Sequence, residues 1–90
     1  MKNIPSTWCL EPLGHYENDG QLVGFGERAW IVACLEGPGT VQVTNADGKV
    51  VTLTETNPCC LLNLSASSNL RWSLFSSPGL QSLQLYKRVR

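Results

Sequence analysis

VQVTNADGKVVTLTE, residues 41–55, sets an acidic, glycine-containing loop between two runs of valine, threonine and leucine. Before the loop, Val41 and Val43 share one parity and Gln42 the other. After it, Val51 and Leu53 alternate with Thr52 and Thr54. Alternation of period two is the mark of a half-buried strand. The intervening Asn45-Ala46-Asp47-Gly48 matches a type I turn whose glycine takes the left-handed conformation, so the stretch predicts a β-hairpin. An ion site is the competing reading. A calcium loop needs oxygen ligands at positions one, three and five, glycine at six and glutamate at twelve. With Gly48 at the sixth position, Val43 falls at the first and Thr54 at the twelfth, and valine cannot ligate.

The same alternation runs outward in both directions. CLLNLS places Cys60, Leu62 and Leu64 on one face, LRWSLFS does so with Leu70, Trp72 and Leu74, and QSLQLYKRV with Leu83, Leu85 and the stem of Lys87. Upstream, QLVGF is a short strand. ERAWIVACLE is apolar at every position from Ala29 to Leu35, the pattern of a strand central in its sheet or covered on both faces. Trp30 and Trp72 are read as core. About seven strands at roughly ten-residue spacing predict an all-β fold, a small antiparallel β-sandwich or jelly-roll-like barrel. Residues 1–20, broken by Pro5 and Pro12, are read as an extended N-terminal arm, and residues 21–90 as a single β-sandwich domain.

Ninety residues at zero formal net charge, 16% of them charged, lack the broad basic footprint that nucleic acid demands. MKNIPSTWCLEPLGH does not read as a signal peptide, and AWIVACL is far short of the ~20 residues of a membrane helix, so cytoplasmic synthesis is expected. Reduced thiols are then expected at Cys9, Cys34, Cys59 and Cys60. Neighbours Cys59 and Cys60 point to opposite sides of a strand, so one at most faces a given partner.

Few groups suggest chemistry. LVGFGER has a Gly-x-Gly core without the third glycine and helix of a phosphate loop. GHYENDG gathers His15, Tyr16, Glu17 and Asp19 but reads as a solvated loop. No C-x-x-C pair accompanies the single histidine. No catalytic residue, metal ligand or cofactor is therefore assigned. The partner-binding candidates are Ile4, Trp8, Leu10 and Leu13 in the arm, whose deletion should leave the β fold intact, with Lys87, Arg88 and Arg90 at the end. For the final charges, protection of an exposed strand edge competes with partner contact.

The order GPGTVQVTNADGKVVTL…LLNLSASSNLRWSLFSSPGLQSLQLYKR, over residues 37–88, resembles small β-sandwich virion proteins of tailed bacteriophages. That resemblance implies a non-enzymatic role as a capsid decoration, cement or head–tail accessory protein. It would be a homo-oligomer or present in many copies on a lattice, located in the virion, and bound to other virion subunits. The alternatives are a small phage or bacterial protein that inhibits a host enzyme, and a cupin-like small β-barrel. The last is suggested by LEGPGTVQV, but such a barrel carries several metal-binding histidines.

Overall fold

A computed structural model of the chain describes residues 7–23, 26–45, 48–65, 69–74 and 80–90. Among them are eight strands: β1 (Leu10–Tyr16), β2 (Gly20–Leu22), β3 (Ala29–Glu36), β4 (Thr40–Thr44), β5 (Val50–Thr54), β6 (Cys59–Leu64), β7 (Leu70–Leu74) and β8 (Ser82–Arg88). They form two four-stranded antiparallel sheets, β1-β8-β3-β6 and β2-β7-β4-β5. The described residues contain no helix. This interleaved order is that of a jelly roll, in which the chain shuttles between two facing sheets. The expectation of an all-β sandwich holds.

The hairpin at the centre of the sequence reading is present. Val43 pairs with Val51 and Thr44 with Val50. Gly48 has φ +84°, its N–H donates to the Asn45 carbonyl at 3.0 Å, and Asn45 Oδ1 accepts from Lys49 N at 3.1 Å. The other two residues of the turn, Ala46 and Asp47, lie outside the described residues.

The inner parities found by alternation meet between the sheets. Ile31, Leu62, Leu64, Leu83 and Leu85 pack from one side, and Val41, Val43, Leu53, Leu70 and Trp72 from the other. Each large aliphatic side chain removed from water contributes about 1.5–3 kcal/mol. Trp72 also locks the β1–β2 connection. Its ring lies 4.6 Å from that of Tyr16, and its indole N–H donates to the Asn18 carbonyl at 3.0 Å.

The expectations for the arm, the strand edge and the thiols require correction. Leu10–Tyr16, expected in an arm outside the sandwich, forms β1 and pairs with β8 throughout. Its sequence hides this because the pairing shifts register between Pro12 and Gly14. Such a bulge breaks strict alternation, and an edge strand tolerates the missing proline donor. It lets Pro12 face outward while Leu13 and Tyr16 pack against the core. With β1 in place, β8 is an interior strand, so Lys87 and Arg88 protect no edge.

Finally, Cys34 and Cys59 are joined by a disulfide, against the expectation of four reduced thiols. The β3–β6 register sets them directly opposite, which their separation of 25 residues conceals. Cys60 faces the other way, as its neighbourhood to Cys59 requires, and remains free, as does exposed Cys9. Burial pushes the Cys60 thiol up to about 11, against a smaller lowering by a backbone hydrogen bond with Ala33.

Candidate functional site

β3 is apolar on both parities, and only one of them faces the core. Ala29, Ile31, Ala33 and Leu35 point between the sheets. Trp30, Val32 and Cys34 therefore lie on the outer face. Cross-strand pairing carries that face over the whole sheet: Pro12, Tyr86, Val32 and Leu61 form one row, and His15, Gln84, Cys34 and Cys59 the next. Val32, flanked by Tyr86 and Leu61, is 0% exposed although it stands outside the core cluster.

At one end of this face the aromatic groups concentrate. Trp8, just ahead of β1, tilts against Trp30 with centroids 5.7 Å apart and planes at 49°. The Arg88 guanidinium carbon sits 4.0 Å from the centroid of the Trp8 ring. Arg88 is itself paired with Leu10, and Trp30 with Asn63. A half-buried indole pair capped by a cation and bordered by leucine, proline and tyrosine has the composition of protein interface cores, where tryptophan, tyrosine and arginine are enriched.

Of the expected partner-binding residues, the fold brings Trp8, Leu10 and Arg88 together here. Leu13 turns toward the core. Lys87 reaches Glu27, its Nζ 3.6 Å from a carboxylate oxygen. Arg90 is engaged through its backbone, accepting from Cys9 N at 2.8 Å. Ile4 lies outside the described residues. Trp30, expected in the core, instead belongs to this face, and Tyr86 and Leu61 were missed. The available signal was the unbroken apolar run of Ala29–Leu35, because a strand with no polar parity must have two apolar faces.

The titratable segment does structural work. Asp19 Oδ1 accepts from Leu74 N at 2.9 Å, and His15 Nδ1 is hydrogen-bonded to Gln84 Oε1 at 3.0 Å. An open depression of about 510 Å³ runs along His15–Asp19, and another of about 360 Å³ lies among Thr44, Asn45, Gly48, Asn69 and Arg71. Among the described residues, no three histidine, cysteine or acidic side chains are gathered to hold a metal. No helix of the described residues is long and apolar enough to cross a membrane. Comparison with protein families, curated sequences and solved structures returns no match, so the reading of this face rests on its own chemistry.

Proposed function

We propose that the chain is a non-enzymatic structural protein of a virion, docking on neighbouring protein subunits through the outer face of the β1-β8-β3-β6 sheet. The observation that carries this reading is the Trp8–Trp30–Arg88 cluster on a face whose central residue, Val32, is already dry. Such a face needs little further desolvation to meet a partner, and rigid indoles lose little entropy on docking.

Two features support the virion setting. Jelly rolls recur in viral capsid domains, although lectins and cupins share them, so topology supports the reading without selecting it. Disulfides such as Cys34–Cys59 persist on virion and cell surfaces and are rare in reducing cytosol. The cupin-like alternative gains no support from the interior. The space between the sheets holds packed aliphatic side chains, and His15 lies on the outer face, bonded to Gln84.

Quantitative mass spectrometry of purified particles tests the proposal. A fixed, high copy number relative to the shell protein is the expected result. Absence from particles, with one-to-one recovery on a host enzyme, would replace it with the inhibitor reading.

A further inference from the structure

Four strands border the two sheets: β1 and β6 in one, β2 and β5 in the other. Unpaired edge strands are templates for another chain unless something blunts them. Three of the four are blunted. β1 carries Pro12 and a register shift. β2 is only three residues long. At the end of β5, Thr54 and Asn57 exchange backbone hydrogen bonds of 3.2 Å in each direction, so the chain's own turn occupies that part of the edge.

Among the described residues, β6 has none of these devices. It runs for six residues, Cys-Cys-Leu-Leu-Asn-Leu, without a charge or a proline. Leu35 N donates to the Pro58 carbonyl at 2.7 Å, which fixes the direction of every later group on the strand. Pro58, Cys60, Leu62 and Leu64 turn their backbone groups toward β3. The N–H and C=O of Cys59, Leu61 and Asn63 then point away from the sheet. No described strand other than β3 pairs with β6. The Cys34–Cys59 disulfide staples this strand to β3 at its first outward residue.

We propose that two copies of the chain associate by antiparallel pairing of β6 with β6, about a two-fold axis at Leu61. Cys59 of each copy then lies opposite Asn63 of the other, and Leu61 opposite Leu61 on the outer face. The occupant is a second copy because such an interface is self-complementary: an uncharged strand meets its own image without repulsion, and each outward donor finds an outward acceptor. The two four-stranded sheets become one continuous sheet, with both Trp8–Trp30–Arg88 clusters on the same side. This goes beyond the docking role proposed above and stands or falls separately from it.

Sedimentation velocity over a wide concentration range tests the dimer. The unaltered chain should pass from monomer to dimer as concentration rises. Leu61→Pro removes one N–H that has no partner within the monomer's ladder and should leave only monomer. Leu61→Lys sets like charges opposite each other and should do the same, with circular dichroism unchanged; it decides the matter if the proline variant fails to fold. Val50→Lys, on the β5 edge, should leave the dimer in place. A chain monomeric throughout, or a dimer that survives Leu61→Lys, would overturn the proposal. So would a dimer lost through Val50→Lys alone.

Discussion

Arg88 and Trp8, eighty positions apart in sequence, meet with the guanidinium carbon 4.0 Å from the indole centroid. β1 pairs with β8 as far as Leu10–Arg88, and the backbone bonds between Cys9 and the terminal residues prolong that pairing. The contact is partly exposed, where a cation–π pair is worth about 0.5–1 kcal/mol. A double-mutant cycle of Trp8→Ala and Arg88→Ala, followed by urea unfolding, should yield a coupling of about that size. Strict additivity would show that the two side chains do not hold each other.

Removal of residues 1–13 should destabilise the sandwich. The deletion takes away the first half of β1 and uncovers one side of β8. Thermal unfolding should shift well downward, and amide exchange at Tyr86–Arg88 should quicken. A truncated chain as stable as the full one would restore the reading of a detached arm.

The Cys34–Cys59 disulfide closes a loop of 25 residues. Replacing both by alanine should cost about 3.5 kcal/mol on the chain-entropy view, measured by denaturant unfolding without reductant. Thiol alkylation of the native protein should label Cys9 readily, Cys60 slowly, and neither Cys34 nor Cys59 until reductant is added.

Cys60 makes stability depend on pH at the alkaline end. Its folded pKa is raised from 9.0 to about 11, so the unfolded chain loses this proton first. The stabilisation is complete below pH 9 and is lost as pH rises from there toward 11. Cys60→Val should flatten that part of the pH profile. An unchanged slope would assign the alkaline loss to other groups.

Gly37 and Gly48 both have positive φ, but their surroundings differ. A Cβ on Gly37 (φ +95°) would run into the Leu80 carbonyl oxygen, whereas one on Gly48 (φ +84°) would meet open space. Gly48→Ala should cost about 1 kcal/mol, the conformational term alone. Gly37→Ala should cost clearly more, because a backbone carbonyl must also move. Equal losses would mean that the Gly37–Leu80 approach has slack.

The hairpin around residues 41–55 was legible because Val41 and Val43, and Val51 and Leu53, alternate with polar residues and both runs meet at a turn. β1 was not, since Leu13 inserts at a bulge and reverses the parity on which such reading depends. Trp30 was misplaced for a related reason: in a run with no polar position, alternation marks no inside. The disulfide and the Trp8–Arg88 contact depend on which strands become neighbours. That order is set by packing of the whole sandwich, and no local pattern carries it.

The proposed docking of the outer β1-β8-β3-β6 face on virion subunits is tested most directly by co-sedimentation with assembled shells. Trp8→Ala, Arg88→Ala and their combination would be compared with Thr52→Ala on the opposite sheet, all confirmed folded by circular dichroism. Binding should weaken for each single variant, vanish for the pair and persist for Thr52→Ala. Full binding by the folded double variant would place the interface elsewhere and contradict the assignment.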